Sequence, residues 1–240
     1  MQLKKQLLNA GVLTGLIVLP SLANAQLSGA GELGYSNSTG NTENTALFAA
    51  LKLNYDQELY QLKSLLENSY KSENGDQTEE RYLLDVQGNY FLDDIKDLYA
   101  FAGLRFEKDQ FADIELDTTI SGGVGKTLYK DSQSKMTGEI GLGQQTIDYV
   151  SSGTDTDSQT VVIGKLDFSH QINEQVSFSQ DLSYRAGSES AKLETNTGVK
   201  VKVAAKANLK LTYKYRHNDS PPAGTKEEDT QTLITLNYDF

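Results

Sequence analysis

The sequence predicts an all-β fold: about twelve antiparallel strands closed into a transmembrane barrel of the outer-membrane type. Three observations predict it. The first 25 residues read as an export leader. The rest is a run of segments, each roughly ten to sixteen residues long, in which apolar and polar positions alternate. The breaks between those segments alternate between short turns and longer polar loops.

The leader fixes the compartment. Lys4 and Lys5 form a basic start, residues 10–19 are apolar apart from Gly and Thr, and Ala23-Asn24-Ala25 supplies the small residues of a cleavage site. This is the pattern of a secretory signal peptide, with cleavage expected after Ala25 and a single domain over 26–240. The apolar run is well short of the ~20 residues a membrane-spanning helix needs. No later segment approaches that length, and the mean hydropathy of −0.48 reads as polar. A transmembrane barrel reads the same way, because lipid-facing and lumen-facing residues average out along each strand. A soluble periplasmic β-protein is the alternative. The chain has no cysteine; a closed barrel does without disulfides because its hydrogen-bond ladder has no free edge. The net charge of −11 becomes more negative once the two leader lysines are removed, which argues against nucleic acid.

Strands are expected over 27–37, 43–55, 58–71, 79–92, 98–108 and 114–129 in the first half. The second half adds 133–149, 158–170, 175–186, 191–203, 207–218 and 229–240. The three prolines, Pro20, Pro221 and Pro222, all lie where no strand amide is needed. Short periplasmic turns alternating with longer extracellular loops is the asymmetry of such barrels, and an even strand count places both ends of the processed chain in the periplasm. Aromatics gather near the breaks. Tyr55, Tyr60, Tyr90, Tyr99, Phe101, Tyr129 and Tyr238 mark one expected girdle, and Tyr35, Tyr70, Tyr82, Phe106 and Tyr184 the other.

In the last strand Ile234, Leu236, Tyr238 and Phe240 alternate with Thr235, Asn237 and Asp239. Their two faces are lipid and lumen. An open edge in lipid is not tolerated, so this strand is expected to pair with 27–37 and close the ring. A terminal strand carrying Tyr238 and ending on Phe240 also resembles the signal read by the barrel-assembly machinery of Gram-negative outer membranes. That machinery, together with outer-membrane lipid and lipopolysaccharide, is the expected partner set.

Further residues carry a family resemblance. They are Tyr215-Arg216-His217-Asn218, Pro221-Pro222-Ala223-Gly224-Thr225 and Asp229-Thr230, with Gly31-Glu32-Leu33-Gly34-Tyr35-Ser36-Asn37-Ser38-Thr39-Gly40-Asn41 at the start. Glu80-Arg81-Tyr82 and Arg105-Phe106-Glu107-Lys108-Asp109-Gln110-Phe111 lie between. Together they resemble the YdiY-like family, described as salt-induced outer-membrane proteins of unknown function. The resemblance covers the chain after the leader and implies an outer-membrane barrel, but it brings no substrate or active site.

Assigning faces gives the candidate functional residues. With Ile234, Leu236, Leu209, Leu211 and Tyr213 towards lipid, Lys210, Lys214 and Arg216 face the lumen, and Lys200 and Lys202 join them from the preceding strand. Glu115, Asp117 and Glu139 are expected to face the lumen from the sixth and seventh strands. Opposed basic and acidic walls would give a narrow, charge-lined channel for small solutes a transverse field. Charges that pair across the lumen would instead close it, leaving a structural or stress-related envelope barrel. No cofactor or metal is expected. His217-Asn218-Asp219-Ser220 has the residue types of a hydrolase, but consecutive residues at a strand exit lack the geometry of a nucleophile, base and orienting group. Gly125-Lys126-Thr127 lies inside a strand and lacks the leading glycine of a phosphate loop. Asp155-Thr156-Asp157 lacks the glycine and distal glutamate of a calcium loop. The chain is therefore read as a non-enzyme.

Overall fold

A computed structural model describes residues 26–38, 44–92, 97–151, 156–221 and 226–240. The leader expected over 1–25, Thr39, Gly40 and Asn41 of the opening motif, Asp155, and Pro222 to Thr225 of the late motif lie outside the described residues. The strands are β1 Gln26–Ser38, β2 Asn44–Asp56, β3 Tyr60–Glu73, β4 Asp76–Phe91, β5 Leu98–Asp109 and β6 Ile114–Lys130. They continue with β7 Ser134–Tyr149, β8 Thr156–Gln171, β9 Val176–Ala186, β10 Ala191–Lys202, β11 Ala207–Asn218 and β12 Glu228–Asp239. Each pairs antiparallel with its sequence neighbours, and β12 returns to β1 to close the ring. The expected strands are all present, with ends moved by a few residues. The largest change is between β3 and β4, where the longer expected break contracts to Asn74-Gly75. Both have left-handed φ values, 51° and 89°, the backbone that a two-residue hairpin turn requires.

The closing seam is shorter than the rest of the ladder. β1 pairs thirteen residues with β2, from Gln26↔Asp56 to Ser38↔Asn44. It pairs only four with β12: Ala30↔Asp239, Gly31↔Tyr238, Glu32↔Asn237 and Leu33↔Leu236. Beyond them Gly29 and Phe240 exchange backbone hydrogen bonds of 3.0 and 2.9 Å. The Phe240 ring occupies the space a side chain at residue 29 would need, since a Cβ there would lie 2.6 Å from Cζ of the ring. Glycine is required at that position by this close approach.

The molecule is apolar outside and polar inside. Leu33, Ile140 and Ile234 are more than 60% exposed, whereas among the described residues twenty buried side chains are polar or charged against eight apolar ones. Water would solvate such a surface poorly, but hydrocarbon matches it, and the closed ladder leaves few backbone groups unpaired in lipid. Alternation does the sorting: Leu209, Leu211 and Tyr213 point out while Asn208, Thr212 and Lys214 between them are buried.

Two expected girdle residues face the other way. Tyr99 and Phe101 are 2% and 5% exposed and point into the lumen. Their parity is that of Arg105 and Glu107 on the same strand, and the inner wall beside them is glycine on β6 and β7. A Cβ added at Gly123 or Gly141 would lie 2.8 Å from the Phe101 ring, and at Gly125 it would meet Tyr99. These glycines let the two rings lie flat against β6 and β7. Tyr60, Tyr90, Tyr129 and Tyr238 at the short-turn rim, and Tyr35, Tyr82 and Tyr184 towards the long-loop rim, are exposed outward as a girdle requires.

Candidate functional site: the lumen

The inward side chains divide the lumen into two halves. In the half towards the long loops, six cations and six carboxylates meet in ion pairs; five of each are linked through shared partners, and the Lys192–Asp117 pair lies beside them. The cations are Arg81, Arg105, Arg185, Lys192, Lys214 and Arg216; the carboxylates are Glu67, Asp85, Glu107, Asp109, Asp117 and Glu194. Arg81 is at its centre: Nε donates to Glu107 Oε1 at 2.7 Å and Nη1 to Glu67 Oε1 at 2.9 Å. Arg105 Nη2 donates to both oxygens of Glu194, at 2.9 and 3.0 Å, and to Glu107 Oε2 at 3.0 Å. Arg185 Nη2 reaches the same Glu194 at 2.8 Å.

Several of these pairs join strands far apart around the ring. Arg105 on β5 meets Glu194 on β10, Lys192 on β10 meets Asp117 on β6 at 3.0 Å, and Lys214 on β11 meets Glu67 on β3 at 2.7 Å. Arg216 on β11 lies 3.7 Å from Asp109 on β5, the opposite wall of a twelve-membered ring. Asp117 also accepts from Gln145, which in turn accepts from Gln159. Lys214 Nζ sits 4.5 Å from the centre of the Phe48 ring, a cation–π contact. Isolated charges buried this way would cost several kcal/mol each, roughly; pairing and hydrogen bonding offset most of that cost. The network spans the lumen as a neutral side-chain plug.

The half towards the short turns is different. It holds a cavity of about 410 Å³ whose lining includes Lys52, Lys63, Lys135, Glu139, Asp167 and Asp181. A smaller space of about 80 Å³, between Glu32, Phe48, Glu67, Lys210 and Lys214, continues towards the plug. Glu139 accepts from Tyr99 Oη and Gln87 Nε2 at 2.8 Å each through Oε1, while Oε2 is buried without a hydrogen-bond donor.

Residues 31–240 match the family described as "Protein of unknown function, DUF481". The chain belongs to DUF481. Its fold is similar to that of a NanC porin, at 10% identity and a TM-score of 0.51, with 89% of this chain and 98% of that one covered. It is also similar to the COG4313 outer membrane channel from Pseudomonas putida F1, at 14% identity and a TM-score of 0.54, covering 90% and 95%. At such identities the likeness concerns the fold, a closed antiparallel barrel of the outer-membrane type. No curated protein matches the chain.

In this DUF481 barrel the candidate residues fall as follows. Asp117, Lys214 and Arg216 lie in the plug. Glu139 and Lys210 border the cavities, with Lys210 Nζ 2.7 Å from Glu32. Lys200 pairs with Asp239 at 2.9 Å, and Lys202 is exposed at the short-turn rim. The residues of the expected acidic and basic walls therefore do not pair with one another; Asp117 and Glu139 meet Lys192 and Lys165, and the basic residues Lys200, Lys210, Lys214 and Arg216 meet other carboxylates. Glu115 is a correction. The register shifts between Ile114 and Leu116, Ile114 is buried, and Glu115 is exposed on the outside, 2.8 Å from Lys108. A β-bulge places one extra residue in the strand, so strict alternation back from Asp117 assigns the wrong face.

Sequence reasoning passed over Glu194, Lys192 and Asp109 of the plug and Asp167 of the vestibule; alternation does turn Asp181 inward, on the same face as Arg185. Inward parity was available for all of them; their partners across the lumen were not. His217 and Ser220 sit at the long-loop rim, with Asp219 accepting from the Ala191 amide. Ser134 Oγ and His170 Nδ1 are 2.9 Å apart at the opposite rim. Among the described contacts no third group orients His170, whose ring stacks on Phe168.

Proposed function

We propose that this protein is a closed-lumen outer-membrane barrel: a non-enzymatic envelope protein that blocks free solute passage and presents a polar vestibule to the periplasm. The carrying observation is the plug, in which Arg105–Glu194, Lys192–Asp117, Lys214–Glu67 and Arg216–Asp109 bridge distant strands. Twelve strands stand between the eight-stranded barrels that side chains fill and the sixteen-stranded ones that stay open. Side chains as long as arginine and lysine can close that gap when carboxylates meet them. Short turns mark the periplasmic end of outer-membrane barrels, which orients the vestibule.

A second reading, a narrow solute channel, is favoured by the smaller cavity that leads from the vestibule towards the plug. Planar-bilayer conductance separates the two. The folded wild-type protein should give little current above background, and the double substitution Arg105→Ala with Glu194→Ala should give steady openings. A stable conductance from the unaltered protein overturns the closed-lumen reading.

A further inference from the structure

The plug pairs its charges; the vestibule leaves most of its own unpaired among the described residues. Lys52 and Lys63, on β2 and β3, and Lys135 on β7 all line the cavity, and none has a carboxylate within ion-pair distance among the described residues. On β8 and β9, six places around the ring from β2 and β3, Asp167 and Asp181 are direct cross-strand partners facing the same cavity. Neither has a salt bridge among the described residues. Like charges directly opposite on neighbouring strands oppose folding. Lys165, two residues along β8 from Asp167, instead donates to Gln87 Oε1 at 2.9 Å and stays 3.9 Å from Glu139. Glu139 Oε2 is buried, with the residue 7% exposed; it accepts no hydrogen bond among the described residues and its ion pair with Lys165, at 3.9 Å, is a long one.

One cavity thus holds two unpaired cations, Lys52 and Lys63, on one wall and two unpaired carboxylates, Asp167 and Asp181, on the opposite one, with Lys135 on β7 beside the carboxylates. A chain that pairs six cations with six carboxylates a few residues away could have neutralised these as well. We infer that the vestibule is a binding site for a small zwitterion with a primary ammonium and a carboxylate at separated ends, the class of short peptides and ω-amino acids. The ammonium, with three donors, bridges Asp167 and Asp181, with Glu139 Oε2 as a further acceptor. The carboxylate lies against Lys52 and Lys63, with Lys135 at the mouth. Among the described residues no three His, Asp or Glu converge as a metal cluster does, which favours an ammonium over a bare divalent cation. A volume of about 410 Å³ falls within the roughly 300–1,000 Å³ typical of small-molecule sites. The inference goes beyond the closed-lumen reading and outlives its failure, because an open pore with the same walls would bind the same solute.

The test is calorimetric titration of the intact, detergent-folded barrel with triglycine and 6-aminohexanoate, followed by N-acetyl-triglycine and triglycine amide. Saturable one-to-one binding is expected for at least one zwitterion. Capping either end should weaken it on the order of ten-fold, the worth of a charge-assisted contact. The absence of saturable binding by both zwitterions overturns the proposal. So does undiminished binding of either capped form, which would make the site one for anions or for cations alone. Asp167→Asn with Asp181→Asn should abolish discrimination against the acetylated form, and Lys63→Gln against the amide. The capped series on the unaltered protein decides the matter even if a variant fails to fold. Conductance, read separately, reports on the plug.

Discussion

The two halves of the lumen use the same side chains for opposite ends. Towards the long loops, guanidinium and ammonium groups are tied to carboxylates across the barrel, and Arg81 is 3% exposed. Towards the short turns, Lys52, Lys63, Asp167 and Asp181 line open space with no ion pair among the described residues. The difference lies in level along the strand and in reach. Glu107 and Glu194 each sit where two arginines arrive from neighbouring and distant strands. Asp167 and Asp181 sit beside each other with the lysines of β2 and β3 on the opposite wall. Charge in a barrel lumen is therefore structural or available according to whether its counter-charge belongs to the protein.

Substitutions can break or sharpen that contrast. The largest effect should come from the plug. Glu107→Ala removes a partner of both Arg81 and Arg105 and leaves buried cations uncompensated, which costs about 3–5 kcal/mol. Urea unfolding in detergent micelles should show it, and an unchanged midpoint would mean the plug is not structural. A smaller loss should follow Gly141→Ala. Its Cβ would meet the carbonyl of Gly122 at 2.6 Å and the Phe101 ring at 2.8 Å, a case of overpacking worth about 1–3 kcal/mol. The same unfolding assay reads it, and wild-type stability would show that the Phe101 wedge yields freely. Asp181→Asn should change sign, stabilising the barrel by roughly 0.2–1 kcal/mol through relief of a like-charge pair. If it destabilises, the vestibule is held by its charges as the plug is. Lys63→Gln should stay within about 0.5 kcal/mol of wild type, since it breaks no ion pair.

The barrel itself was plain in the amino-acid pattern, because lipid on one side and polar lumen on the other force a period of two. Strand count, closure between 27–37 and the last strand, and the inward face of Asp117, Glu139, Lys210 and Lys214 all follow from it. Glu115 escaped because nothing in Ile114-Glu115-Leu116 marks a bulge. Tyr99 and Phe101 escaped because Leu98-Tyr99-Ala100-Phe101-Ala102 is apolar on both faces; only their parity with Arg105 and Glu107 carried the signal. The plug was half visible. Alternation says that Arg105 and Glu194 both point inward, but not that they lie at the same height and within reach. That depends on the stagger accumulated over five strand pairings, and each bulge between them changes it.

The joint between β1 and β12 has a consequence for how the ring opens. Four residue pairs and the Gly29–Phe240 exchange hold it, against ten for β8–β9, the next shortest pairing. Local opening follows the weakest hydrogen-bonded boundary. Amide exchange should therefore be fastest, within the strands, in β1 beyond Leu33 and in β12 before Leu236, where each strand keeps a partner on one side only. The staves of this barrel are not equivalent. They are drawn together by one short clasp near the short-turn rim, and above it the wall faces the bilayer as a seam.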